Sequence, residues 1–206
     1  MRATAPPARR TRLASILAAV VALLATPAAR TEPDLDWIDR DALEAGEVLL
    51  FTERNEHPLT VEVKVAAKID APAAAIFEVL RACEVAPEYV PNVQSCRRLE
   101  VLDGGRAELF VQTVKPVFFM PSFEHVFRMD YTPMSRIDVR RVSGPIALLE
   151  GTWWLVPRDD GAILLVYELA LDPGMPIPRF VVRATLKRDL PRVVAAVRER
   201  AEAAAR

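Results

Sequence analysis

Along "LTVEVKVAAKI", residues 59–69, apolar and polar side chains alternate: Leu59, Val61, Val63, Val65, Ala67 and Ile69 fall on one side, Glu62, Lys64 and Lys68 on the other. A period of two with one wet face predicts a half-buried antiparallel strand. The period then changes. In "DAPAAAIFEVLRACEVAPEYVPN", Ile76, Val79 and Leu80 share a helical face, Asp70 is a candidate N-cap and Pro72 suits a first turn. A second short helix or turn is expected around Ala86 to Tyr89, ended by Pro91. From Val93 the pattern predicts strands at about 93–102, 106–115, 123–131, 136–142, 148–157 and 162–171, separated by "DGG", "PVFFMPS", "TPMS", "SGPI" and "RDDG". Short strands at that spacing form an antiparallel meander. From Pro178 onward the period is helical again, with Leu186, Leu190, Val194 and Val197 on one side. Upstream, "PDLDWIDRDALEAGE" predicts a short helix to about Ala45, capped by Asp34 or Asp36, and "EVLLFT" a strand. The class is α+β.

The turns sort into two kinds. Successive turns of a meander fall at alternate ends of the sheet. "DGG", "TPMS" and "RDDG" share one end and are polar. "CEVAPEYVPN", "PVFFMPSF", "SGPIALL" and "DPGMPIPRF" share the other; all four carry proline and the last three are distinctly apolar. Apolar loops gathered at one end either seal the core or rim the mouth of an apolar cavity. Val117, Phe118, Phe119, Met120, Ile146, Met175 and Ile177 are therefore candidates for a gate or a membrane contact. The last helix begins at the same end. Between 179 and 192 it carries Arg179, Arg183, Lys187, Arg188 and Arg192 against Asp189 alone. Basic residues beside apolar loops suit transient contact with an anionic membrane surface, a solvated outer face being the alternative.

The first 29 residues differ from the rest. Arg2, Arg9, Arg10 and Arg12 precede the apolar "LASILAAVVALLA" and the small residues of "TPAAR", the layout of a secretory signal peptide. Cleavage near Ala28 or Ala29 would remove those four arginines and no acid, taking the formal charge from -1 to -5. The expected mature protein is then a periplasmic or secreted one: a helical extension over 30–46 and one domain over 47–206. A mildly acidic chain with no nucleic-acid module is a poor nucleic-acid binder. Cys83 and Cys96 are candidates for a disulfide in an oxidising compartment, buried free thiols being the alternative. No CxxC pair occurs, and His57 and His125 are far apart in sequence, so no metal or other cofactor is expected.

The segments "KIDAPAAAIFEVLRACEVAPEYVPNVQSCRRLEVL" and "GPIALLEGTWWLVPRDDGAILLVYELALDPGMPIPRFVVRATLKRDLPRVVAAVRER" resemble the opening and closing halves of START-related proteins of the polyketide cyclase/dehydrase and lipid-transport superfamily, the SRPBCC group. The resemblance runs over roughly 47–203, with "GTWWL" and "LVYELALDPG" as its anchors. It implies a helix-grip (START/Bet v 1-like) fold, a curved antiparallel sheet wrapped around a long C-terminal helix with a cavity between them. It leaves the ligand open, because that superfamily holds lipid carriers, receptors and cyclases. Strand parity nominates the cavity wall: Leu109, Val111 and Thr113; His125, Phe127, Met129 and Tyr131; Trp153 and Leu155; Leu165, Tyr167 and Leu169; and Leu186 and Leu190 from the helix. In "ILLVYELAL" the position of Glu168, which belongs in water, sets Tyr167 inward.

An enzyme of this fold needs polar groups in the cavity placed for acid–base work. His125, Tyr131, Tyr167, Thr113 and Arg141 are the candidates, and they form no recognisable triad or carboxylate pair. The expected function is binding and transfer of a lipid or other hydrophobic small molecule by a monomer. A cyclase/dehydrase-type enzyme acting on an apolar substrate, or a ligand-free interaction domain, are the alternatives. An inward His125 beside a tyrosine hydroxyl would favour the enzyme; an almost wholly apolar cavity would favour the carrier.

Overall fold

The computed structural model describes residues 32–52, 59–116 and 120–206. Eight strands form one antiparallel sheet in the order β1-β2-β8-β7-β6-β5-β4-β3. They are β1 Leu49–Thr52, β2 Val61–Ile69, β3 Val93–Leu102, β4 Ala107–Val114, β5 Phe123–Thr132, β6 Arg136–Ser143, β7 Leu148–Pro157 and β8 Ile163–Asp172. Between β2 and β3 lie α2, Ala73–Arg81, and a 3-10 segment at Cys83–Glu88; α1 is Arg40–Glu44 and α3 Arg179–Ala204. The meander predicted from period and turns is the meander observed. β2 closes it by pairing with β8 from Val61↔Leu171 to Ile69↔Ile163. The inner face of the sheet, α2 and α3 share one core, in which Val65, Ala67, Ile69, Ile76, Leu165, Val194 and Val197 are fully buried. This is the helix-grip arrangement expected.

Three local expectations are corrected. β2 is not half-buried: Ala66 is sealed and Lys64 is only 8% exposed. Its outer face lies under α1, where Leu43 joins Ala66, Trp154, Leu164 and Val166 in a second cluster flanked by Trp37 and Ile38. Lys64 donates from there to Asp34 at 2.8 Å. The cap of α1 is Asp39, whose Oδ1 accepts from the Asp41 and Ala42 amides at 3.0 and 3.1 Å; Asp34 and Asp36 precede the helix. Asp70 does not cap α2 by its side chain; Pro72 occupies the N-cap without a side-chain bond, and the Asp70 amide donates to Glu202 at 3.2 Å.

The charged turn between β7 and β8 fastens α1 to the back of the sheet. Lys68 bonds Asp160 at 2.7 Å and Glu44 at 3.1 Å, and Arg158 pairs with Glu44. Residues 30–46 are thus no loose appendage in their described part: Glu32–Arg206 forms one compact unit. Cys83 and Cys96 are disulfide-bonded, with Cα atoms 5.5 Å apart, and tie the 3-10 segment to β3.

Candidate functional site

Between the concave face of the sheet and α3 lies an inner cavity of about 200 Å³. β5 contributes His125, Phe127 and Met129, β7 Leu149 and Trp153, β8 Tyr167, and β6 Val139. Leu190, Val193 and Val197 of α3 form the opposite side, and Ala86, Tyr89 and Val90 close an end. Among the described residues, no charged one lines it. Trp153 and Tyr167, paired across β7 and β8, stack with ring centroids 3.8 Å apart. The Tyr167 hydroxyl hangs over Gly151, and burial raises its pKa, so it stays protonated.

The polar groups in the wall are few. His125 is 4% exposed. Its Nε2 meets the Gln112 Oε1 at 3.1 Å, and its ring stacks on Phe127 with centroids 5.5 Å apart. Burial lowers its pKa from 6.5 to about 4, so the imidazole is neutral at physiological pH. The Tyr131 hydroxyl does not serve the cavity: it donates to Glu108 Oε2 at 2.6 Å. Burial and that bond raise the Tyr131 pKa. Glu108 is 2% exposed. Its Oε1 accepts from Arg98 at 2.8 Å and from Arg81 at 3.4 Å. Burial pushes the Glu108 pKa up, but the bonds from Tyr131 and Arg98 and the two guanidinium charges outweigh it and leave it below the ordinary value.

A second apolar space, of about 170 Å³, lies at the end of the sheet where the proline-bearing turns gather. Each of the four turns supplies lining: Pro91 and Asn92, Pro116, Ile146, and Pro173 with Met175 and Ile177. Phe123, Leu171 and Val182 complete most of the wall. Asn92, at a positive φ of 68°, donates from its side chain to the buried Asp189 at 3.1 Å and so pins that corner to α3. The two spaces are neighbours along β5, where Phe123 and His125 stand two residues apart with rings 6.3 Å apart.

The structure brings together His125, Phe127, Met129, Trp153, Tyr167 and Leu190 from the predicted wall. Leu155, Leu165 and Leu169 point inward as solid core, Tyr131 belongs to the Glu108 cluster, and Leu186 packs beside the core half-buried. Leu109, Val111 and Thr113 are a correction. β4 pairs Glu108 with Met129, Phe110 with Phe127 and Gln112 with His125, and directly opposed residues share a face. The inward set of β4 is therefore Glu108, Phe110 and Gln112; the Thr113 hydroxyl faces the other way and accepts from Ser95 at 2.8 Å. Arg141, opposite Phe127 on the inner face, does not line the cavity: it is exposed, with its guanidinium donating to the Gly144 carbonyl at 2.9 Å. Among the gate residues, Ile146, Met175 and Ile177 line the second space, Met120 is half-buried, and Arg179 and Arg183 are half-buried on α3. Val117, Phe118 and Phe119 lie outside the described residues.

Residues 69–198 match the family described as polyketide cyclase / dehydrase and lipid transport. No curated protein matches the chain. Solved structures do, at low identity. The STAR-related lipid transfer protein of Xanthomonas axonopodis shares 19% identity at a TM-score of 0.63, covering 74% of this chain and 92% of that one. The Zhui aromatase/cyclase of a Streptomyces species shares 20% at 0.61, covering 71% and 96%. The START superfamily protein of Mycobacterium smegmatis shares 20% at 0.58, covering 69% and 98%.

Proposed function

Because the chain belongs to the polyketide cyclase / dehydrase and lipid transport family, we propose that it binds a hydrophobic small molecule or lipid chain in the inner cavity and carries it unchanged. The observation that carries this reading is the composition of the wall. Sixteen of the described residues line it, none of them charged, and the His125 side chain is already engaged with Gln112 rather than with a tyrosine hydroxyl. A mechanism of acid–base chemistry needs a proton donor and acceptor facing one substrate atom. Tyr131 is turned away from that task by Glu108.

Transfer follows from the physics of the cargo. An acyl carbon is apolar in a bilayer and in the cavity, so exchange between them is nearly neutral. The protein removes the cost of crossing water, about 0.8 kcal/mol per CH₂. The second space, rimmed by all four proline-bearing turns, is the route, and α3 beside it offers cations to an anionic surface. A cavity of about 200 Å³ is smaller than the roughly 300–1,000 Å³ of drug-sized ligand sites. A single chain or a small ring system suits it; a whole two-chain lipid requires the wall to open. The basic-then-apolar N-terminus and the Cys83–Cys96 disulfide favour work in the periplasm or outside the cell.

Native mass spectrometry on detergent-free protein, with organic extraction of the same sample, tests the reading. A discrete bound mass matching an extracted molecule supports it. An empty protein that also takes up nothing from lipid vesicles overturns it. A cyclase is the second reading, favoured by His125 and Tyr167 standing in one wall and by the aromatase/cyclase among the similar folds. Recovery of the bound molecule chemically altered after incubation would select it.

A further inference from the structure

We propose that the two apolar spaces are halves of one channel, and that Leu186 of α3 is the stop between them, setting the length of chain the inner cavity holds. The proposal rests on the hydrophobic-ligand reading above and narrows the ligand to an unbranched single chain of limited length. It begins with the order of the two linings. On β4, Gln112 lines the inner cavity and Val114, two residues on, lines the second space. On β5, His125 lines the first and Phe123 the second. In the turn before β3, Val90 lines the first and Pro91 the second. Leu149 and Leu171, directly opposed across β7 and β8, divide in the same way. Residues two apart on a strand share a face, so the two spaces follow one another along the same inner side of the sheet.

The helix repeats the order. Val182 of α3 lines the second space and Leu190 the inner cavity. Leu186 stands midway between them, and residues four apart lie on one helical face, about 6 Å from each other along the axis. Val182 and Leu190 are buried, so that face is the one turned to the sheet. Leu186 packs against the same core cluster but lines neither space. Its side chain therefore occupies the length of α3 that separates them. Phe123 bounds the division from the sheet side, its ring tilted 56° against that of His125 at 6.3 Å. Joined, spaces of about 200 and 170 Å³ pass the roughly 300 Å³ at which drug-sized sites begin; divided, neither does. A chain that enters through the second space crosses this stop and, once bound, is held to the length of the inner cavity. A branch or a fused ring would widen the molecule at the crossing, so an unbranched chain fits.

The test uses straight-chain alcohols from hexanol to dodecanol. Each displaces an environment-sensitive fluorescent hydrocarbon from the full-length protein and from Leu186→Ala. In the wild-type protein affinity should rise about fourfold with each added CH₂ up to one length and level off beyond it. In Leu186→Ala the hexanol affinity should stay, and the rise should continue through about two further carbons, so that the longest alcohols bind about tenfold more tightly than to the wild-type protein. A variant that is merely loosened would gain affinity for none of them. Should Leu186→Ala fail to fold, Phe123→Leu trims the other side of the stop and is read in the same way. A wild-type affinity that climbs without levelling, a levelling length that the substitution does not move, or a loss of affinity at every length overturns the stop and leaves the carrier reading standing. Binding of none of the alcohols to the wild-type protein overturns both.

Discussion

The Trp153 and Tyr167 rings lie nearly parallel, 11° apart in plane, and the Tyr167 hydroxyl reaches over Gly151 into space that any larger residue would occupy. A Cβ at 151 would sit 2.8 Å from that hydroxyl and 3.0 Å from the ring. Tyr167 cannot retreat without leaving Trp153. Gly151→Ala is therefore expected to cost about 1–3 kcal/mol and to weaken binding of any cavity probe. Urea denaturation and probe titration on one sample check it, and unchanged values for both would show the ring to be loosely held.

Two buried groups set two acid windows. The His125 pKa falls from 6.5 to about 4 on folding, so between those values the unfolded chain binds a proton that the folded one refuses. Stability should fall as pH drops through that window, by up to about 3 kcal/mol, and His125→Leu should flatten the fall. Glu108 is depressed below 4.5, so its contribution is present above that value and is lost as pH falls through its lower folded pKa. Glu108→Gln should remove this second decline only. Denaturation midpoints measured across the acid range separate the two.

The Cys83–Cys96 bridge spans 13 positions of sequence. In the chain-entropy account a loop of this size contributes about 3 kcal/mol. Replacing both cysteines with serine should lower stability by that order, and reductant should lower the wild-type protein to the same level while leaving the variant unmoved.

Phe180, in the first turn of α3, is 74% exposed, beside Arg179 and Arg183 and on the same helix as the exposed Lys187 and Arg188. It ends the apolar turn "DPGMPIPRF" but is not among the gate candidates nominated from sequence. Phe180→Ser combined with Lys187→Glu is expected to weaken binding to anionic vesicles roughly tenfold or more with no change in melting temperature. A vesicle sedimentation assay that shows no loss would remove the membrane contact from the mechanism.

Period and turn chemistry made the meander legible to within a residue or two, because each strand reverses at a distinct Gly, Pro or Asp cluster. Facing was harder. In "AELFVQTV" the inward residues include Glu108 and Gln112, so the outward Leu109, Val111 and Thr113 look like the drier set. Glu108 tolerates burial only because Arg81, Arg98 and Tyr131, from three other elements, converge on it. β2 misled for a related reason: the cover of its second face comes from Leu43 of α1 and from Trp37 in the segment before that helix. The part of the cavity wall outside the sheet, Ala86, Val90, Val193 and Val197, carries ordinary small and branched residues that nothing local distinguishes from core. His125 and Tyr167 were readable because their neighbours on the strand fixed their side.

The layer formed by α1 on the back of the sheet changes where this protein can be cut. The family-matched stretch starts at Ile69, the last residue of β2, and omits the strand that pairs with the whole length of β8. A fragment trimmed to that stretch would strip Leu164, Val166 and Trp154 of Leu43 and Ala66. It would also leave β8, one of the most apolar strands in the sheet, as an open edge, an invitation to pair with another copy. Sequence kinship thus marks where the ancestry is recognisable, whereas self-sufficiency reaches back at least to Trp37, and a soluble fragment of this protein has to begin before it.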